Sequence, residues 1–326
     1  MHVCILTDFS LPSFVRIGIL YARTFEELGW KVDHLPMGSE TTKFTDRYDC
    51  VFQNVSGRNF KAIKNCKNIG LFVHEWSHYP TAWRSYLDDF DALWTTTQHC
   101  KTIAERSELK PSALWIPPVF DLEAHPQKNS YHTSTPFRFL YIGEWHFRKG
   151  LHLLLESWQH AFPEIGEAQL TIKTSADCNF KSPREDIQIV VERWPVEMLN
   201  QAYIESDCYV SASLGEGWGL PIMEAIRSGL PVCANLWGGH SSMLTSESCF
   251  EIEHQEIPQV FAPRPEVYAP GQTCGFSSET RISKALRRAV NSSENERKNI
   301  SAKALNRLNQ DFSIDAFKER ISAAFI

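Results

Sequence analysis

A chain of 326 residues is too long for one compact core and fits two domains of roughly 100–200 residues each. Hydrophobic residues at 43% and charged residues at 22% are ordinary for a globular protein. The formal charge of −6, without a basic stripe, argues against sequence-independent binding to nucleic acid or to an anionic membrane surface.

The N-terminus, MHVCILTDFS, has a short apolar run and no basic region, so no signal peptide is expected. No stretch approaches the ~20 apolar residues of a membrane span, and a soluble cytoplasmic protein is expected. Nine cysteines (Cys4, Cys50, Cys66, Cys100, Cys178, Cys208, Cys233, Cys249 and Cys274) are scattered, odd in number and never spaced as CxxC. They read as reduced core thiols rather than a disulfide or metal framework.

In chain order, residues 3–7 predict a strand and 16–28 an amphipathic helix stopped at Gly29. Further strands are predicted over 31–34, 50–54, 68–74, 92–96 and 113–116, with helices over 80–88 and 98–107. Strands spaced by helices predict parallel βαβ units, so 1–118 reads as one Rossmann-like domain. Residues 119–135, polar and proline-bearing, read as a linker.

Regularity resumes with a strand over 137–142 and a helix over 149–162. Strands follow over 168–174, 187–191, 208–210 and 231–234, with helices over 196–206 and 219–228. The stretch 253–276, with four prolines, has no clear pattern, and 279–326 is helical with a break near 310–313. The second Rossmann-like domain is therefore placed at 136–310 and a C-terminal helix at 311–326. An α/β chain of two doubly wound domains is expected to carry a cleft lined by loops at the carboxyl ends of strands.

The segment with most chemistry is Ser211-Ala-Ser-Leu-Gly-Glu216-Gly-Trp-Gly-Leu-Pro-Ile-Met-Glu224-Ala-Ile-Arg-Ser-Gly229-Leu-Pro-Val. It reads as strand, glycine-rich loop and a helix with Pro221 in its first turn, where the missing N–H costs nothing. Gly215, Gly217 and Gly219 would let backbone N–H groups approach a ligand, and the helix start favours an anion such as a diphosphate. Glu216 lies before the helix and Glu224 one turn inside it. On spacing alone, two solvated acids on a capped helix fit as well.

This segment resembles the signature of the family-4 glycosyltransferases, in which two Glu separated by seven residues frame E-G-[FW]-G-hydrophobic-P. The following Trp237-Gly-Gly239 is similar too. The resemblance implies a GT-B fold and transfer of a sugar from a nucleotide-sugar donor, UDP- or GDP-linked, with retained anomeric configuration. It implies a ribose contact for Glu224 and a contact near the reacting carbon for Glu216. It also places Gly217, Trp218, Gly219 and Leu220 at the donor. A second match, Phe137-Arg-Phe-Leu-Tyr-Ile-Gly143-Glu-Trp-His-Phe-Arg148-Lys149-Gly150, resembles the family's strand, Gly, loop and Lys-Gly. There Gly143 lines the donor site, and Arg148 and Lys149 hold the diphosphate without a bound metal, supplying electrostatic stabilisation of the leaving group. The family usually has Arg after this Gly, and here it is Glu144. Either Glu144 points away or Arg148 supplies the charge, and the second is preferred.

Ile69-Gly-Leu-Phe-Val-His74-Glu75 resembles the family's strand ending in His-[DE], which implies that His74 reaches the donor's sugar hydroxyls. Asp8-Phe-Ser-Leu-Pro-Ser13 lacks the family's paired glycines, while Ile116-Pro-Pro-Val-Phe-Asp121 resembles its interdomain segment. Residues 193–195 are a candidate wall for the base. The acceptor, on the side of the first domain, is a glycan, a lipid-linked sugar or a small molecule.

Other readings compete. His74-Glu75-Trp-Ser-His78 fits the H-E-x-x-H pattern of zinc proteases, but the first His ends a strand and Pro80 prevents a helix centred there. A non-catalytic nucleotide- or glycan-binding homologue is a second alternative, and a sugar-nucleotide epimerase a third.

Overall fold

The computed structural model describes residues 1–39, 47–120, 125–133, 135–174, 182, 184–259 and 269–324. Chain contacts divide it into two compact units. The first comprises Met1–Glu123, Pro258–Thr273 and Gln310–Ile326, and the second Ala124–Ile257 and Cys274–Asn309.

The first unit holds six parallel strands: β1 (His2–Thr7), β2 (Lys31–Pro36), β3 (Cys50–Asn54), β4 (Lys67–Phe72), β5 (Ala92–Thr95) and β6 (Ala113–Trp115), in the order β2-β1-β3-β4-β5-β6. β3 is buried along its whole length, as a central strand covered on both faces must be. Helix α1 (Pro12–Glu27) buries Ile17, Leu20, Tyr21, Thr24 and Phe25, a stripe at helical spacing. Helix α2 (Gln98–Arg106) starts at Thr97, whose side chain accepts from the Cys100 N–H.

The second unit holds β7 (Phe137–Ile142), β8 (Ala168–Lys173), β9 (Ile187–Val190), β10 (Cys208–Ser211), β11 (Val232–Ala234) and β12 (Phe250–Glu251). All pair in parallel, in the order β12-β11-β10-β7-β8-β9. Numbered within the unit, that is the doubly wound Rossmann order 3-2-1-4-5-6 read from the β9 edge. Helices α3 (Leu151–Ala161), α4 (Val196–Glu205), α5 (Leu220–Arg227), α6 (Glu279–Asn291) and α7 (Glu294–Asp311) accompany the sheet, and α8 (Ile314–Ala324) belongs to the first unit. Phe139, Leu154, Trp158, Phe162, Leu170 and Leu286 form the centre of its core. The expected α/β architecture of two Rossmann-like sheets is what the chain adopts.

Several local expectations need correction. Residues 80–88 form only a 3-10 segment, Thr81–Tyr86, none of whose residues is buried; without an apolar face to dock, a helix so short does not hold. Strand β4 stops at Phe72, two residues before His74. The terminal helices break a second time at Ser292 and Ser293, where Ser293 Oγ accepts from the Glu296 N–H (3.1 Å) and starts α7.

The expected linker is firmly bound where described: Lys128 Nζ donates to the carbonyls of Ile204 (2.9 Å) and Ser206 (2.7 Å). Residues 121–124 and 134 of that linker, 260–268 of the proline-bearing stretch, and Cys178 lie outside the described residues. The other eight cysteines are free thiols, seven of them buried. Among the described residues no helix is long and apolar enough to cross a membrane.

Candidate functional site

In a doubly wound sheet the ligand crevice opens at the carboxyl ends of the two strands where the winding reverses. In the second unit those strands are β7 and β10, which are direct neighbours. The loops that follow them are residues 143–150 and 212–219, the two segments singled out by sequence.

The loops are locked together through the backbone. After β7 the chain makes a 3-10 turn, Phe147–Lys149, ending at Gly150 with φ +66°. The Arg148 carbonyl accepts from the Leu214 N–H (2.8 Å), and Ser213 Oγ lies 3.1 Å from the same oxygen. A Cβ on Gly150 would stand 1.9 Å from the Ala212 carbonyl oxygen, so only glycine permits this approach. On the other side the Gly239 N–H donates to the Glu216 carbonyl (2.6 Å), and a Cβ on Gly239 would meet Gly217 backbone at 2.8 Å.

This framework brings Arg148, Lys149 and Glu216 together. Lys149 Nζ donates to both Glu216 carboxylate oxygens, at 2.7 and 3.0 Å. Arg148 Nη1 donates to the Gly215 carbonyl (2.6 Å) and reaches Glu216 Oε2 at 3.4 Å. Ser213 Oγ lies 3.0 Å from Glu216 Oε1. The Glu216 side chain is only 10% exposed. Burial alone would raise its pKa, but the Lys149 ammonium, the Arg148 guanidinium and the facing His240 outweigh burial and hold the group down at about 2. Glu216 is therefore ionised at neutral pH and cannot serve there as a general acid.

A recess opens beside this cluster, lined by Tyr141, Lys149, Tyr209, Glu216, Gly219 and His240 among others. Helix α5 starts at its edge: Gly219 (φ +97°) precedes Leu220, and Pro221 sits in the first turn. The amide dipoles of that start point at the recess, a favourable place for an anion. Gly143 is partly exposed at the mouth of β7, and a Cβ there would lie 2.8 Å from the Tyr141 hydroxyl. Gly217 and Trp218 are buried beneath the turn.

Glu224 is placed by a different element. Its Oε2 accepts from the Tyr203 hydroxyl of α4 at 2.9 Å. Tyr209, whose hydroxyl donates to the Ile142 carbonyl (3.1 Å), feels the negative charge of both Glu216 and Glu224. Glu144 is exposed on the loop, whereas Arg148 is packed against Gly215 and Glu216.

His74 lies in the first unit, 4% exposed, in irregular chain just after β4 rather than in a strand. Its Nε2 is 3.1 Å from Gln272 Nε2, which also donates to the His78 carbonyl (2.6 Å). The H-E-x-x-H residues thus occupy no helix. Among the described residues no three His, Cys, Asp or Glu side chains are grouped to hold a metal ion.

Sequence reading missed Tyr141, Ser213, Tyr203 and His240. Ser213 and His240 each sit within three residues of a residue that was singled out, Glu216 and Gly239. Tyr141 and Tyr203 are by burial core aromatics.

Residues 136–262, which hold both loops, match the model of the family described as Glycosyl transferases group 1. Among curated protein sequences no match was found. Solved structures share the fold at low identity. The sucrose-phosphate synthase of Thermosynechococcus elongatus superposes with a TM-score of 0.68 at 13% identity, over 100% of this chain and 98% of that one. A glycosyltransferase from Rickettsia africae gives 0.65 at 14%, over 99% and 97%. A variant of S. aureus TarM, in complex with fondaparinux, alpha-GlcNAc-glycerol and UDP, gives 0.61 at 14%, over 85% of this chain and 55% of TarM. The chain thus spans about half the length of TarM and nearly the full length of the other two. The fold is GT-B, with two Rossmann-like units.

Proposed function

We propose that this chain is a retaining glycosyltransferase that moves a sugar from a UDP- or GDP-linked donor to a hydroxyl on a glycan, a lipid-linked sugar or a small molecule. The observation that carries the reading is the convergence of Arg148 and Lys149 with Glu216 at the start of α5, on the crevice between β7 and β10. As the glycosidic bond to the donor breaks, negative charge grows on the departing diphosphate. Lys149, Arg148 and the amide dipoles of α5 are already oriented to meet it, an electrostatic effect worth several kcal/mol in such sites. Because protein cations supply this charge, the reaction proceeds without a bound metal in this reading.

Glu216 stays ionised, orients Lys149, and is suited to oppose positive charge on the reacting sugar carbon. Glu224, steadied by Tyr203, takes the ribose hydroxyls. His74 contacts the donor's sugar hydroxyls.

The test is nucleotide release from UDP- and GDP-sugars, with and without added acceptors and with and without EDTA. Slow release without acceptor that persists in EDTA supports the proposal. Donor binding with no turnover under any acceptor would instead establish a binding homologue. Loss of turnover in His74→Asn with an intact fold supports the assignment of His74, and unchanged turnover removes it.

A further inference from the structure

Among the recess-lining side chains, His240 carries an ionisable ring that the reading above leaves unused. It sits in the short turn Gly238–Ser242 and is 1% exposed. Its Nδ1 lies 3.2 Å from the Asn235 carbonyl oxygen, which can only accept, so Nδ1 carries the proton and Nε2 presents a lone pair. That Nε2 is buried with no hydrogen-bond partner. It lies 3.5 Å from the place a Cβ on Gly219 would occupy, at the residue that opens α5. The Tyr141 hydroxyl, on the same recess, is likewise buried without a partner. Buried polar atoms left unpaired are costly, and the cost is recovered when a ligand satisfies them.

Charge shows what the ligand should be. Arg148 and Lys149 bring two positive charges and Glu216 one negative, a net of one. The diphosphate of a nucleotide sugar carries about two negative charges and a free nucleoside diphosphate about three. A lone pair at Nε2 would repel it, whereas an N–H there would bind it.

We propose that His240 takes up a proton when a diphosphate enters the recess and becomes that group's third cationic contact; the inference rests on the donor reading above. The proton comes from solvent to Nε2 on binding and returns to solvent when the nucleotide leaves. Without ligand the ring is neutral, because burial lowers its basicity more than the facing Glu216 raises it, with Lys149 and Arg148 also lowering it. Tyr141 and Tyr209, the other titratable groups of the recess, stay protonated because burial raises both. An incoming dianion reverses the balance at His240. The Tyr141 hydroxyl is free to donate to the same group.

The experiment is calorimetric titration of the full chain with UDP, GDP and ADP in buffers of different ionisation enthalpy. It is run above the pH of about 6 at which a terminal phosphate itself titrates. The expected result is uptake of about half to one proton per nucleotide bound, with affinity rising up to about tenfold per unit fall in pH. His240→Gln should abolish the uptake and weaken binding about tenfold. Binding with no dependence on buffer, or with the same uptake in His240→Gln, overturns the inference and leaves the donor reading standing. Binding of none of the three nucleotides overturns both. Should His240→Gln fail to fold, the histidine ring resonances of the wild-type protein, titrated with and without UDP, decide. One imidazole whose titration point rises on binding supports the inference, and none rising overturns it.

Discussion

Lys149 and Glu216, 67 residues apart in the chain, form a two-point ion pair in which Nζ lies 2.7 Å from Oε1 and 3.0 Å from Oε2. The lysine is thus held in place before any ligand arrives, and its partner is nearly buried. Lys149→Ala should lower turnover about 100-fold or more, because the charge opposing the leaving diphosphate is gone. It should also destabilise the protein, since it leaves a buried carboxylate short of its main partner, a change worth about 3–5 kcal/mol in buried pairs. Adding Glu216→Gln to Lys149→Ala separates the effects. Thermal unfolding should recover most of the loss while nucleotide release stays low. Near-wild-type release from Lys149→Ala would remove the lysine from the mechanism.

The same pair sets a pH dependence whose sign is fixed. Glu216 titrates at about 2 in the folded chain, below the ordinary glutamate value of 4.5. Its stabilising contribution is therefore complete above about 4.5 and is lost as pH falls through about 2. Between about pH 4 and 3 the unfolded chain binds this proton and the folded chain does not. Wild type should then lose roughly 1 kcal/mol per pH unit more than Glu216→Gln in urea unfolding. Parallel stability curves for the two proteins would show that the carboxylate is not held ionised.

How much of this site could be read from sequence depends on whether a residue works by its backbone neighbourhood or by its distant contacts. Arg148, Lys149 and Glu216 were found because each stands in a strand–glycine–helix segment whose geometry is local. Their mutual pairing was not, since the clamp that joins the loops is made by the Leu214 N–H and the Arg148 carbonyl, groups every sequence contains. His240 followed two glycines that were noticed, but its significance lies in an unpaired Nε2 facing residue 219, visible only in three dimensions. Strand β4 was read two residues too long because Val73 continues its apolar run up to the polar His74, whereas the chain turns out of the sheet after Phe72, where the His74 N–H faces Cys100 Sγ at 3.5 Å. The core strands were the most legible part: the predicted 50–54 and 137–142 coincide with β3 and β7, since burial leaves short, mostly apolar runs.

Glu224 and Tyr203 form a test of the ribose assignment. The tyrosine hydroxyl, 2.9 Å from Glu224 Oε2, holds the carboxylate against α4. Glu224→Ala should weaken nucleotide binding about tenfold or more, the worth of a hydrogen bond to a charged group. Tyr203→Phe should cost less, because it loosens the carboxylate without removing it. Fluorescence or calorimetric titration with UDP and GDP measures both. Equal affinities for wild type and Glu224→Ala would refute the ribose contact.

Gly150 offers the sharpest structural test of the clamp. Its φ of +66° costs any other residue about 1–2 kcal/mol, and the added Cβ would fall 1.9 Å from the Ala212 carbonyl oxygen, an atom of the backbone that cannot swing aside. Gly29 shares the positive φ, at +75°, but a Cβ there meets nothing within 4 Å. Gly29→Ala should therefore lower stability by about 1 kcal/mol and leave turnover unchanged. Gly150→Ala should cost about 2–4 kcal/mol and also depress turnover, because separating the 143–150 loop from β10 moves Arg148 and Lys149 away from Glu216. The comparison is made by chemical unfolding and nucleotide release on both variants. If Gly150→Ala matched Gly29→Ala in both assays, the close approach of the two loops would not be what positions the cations.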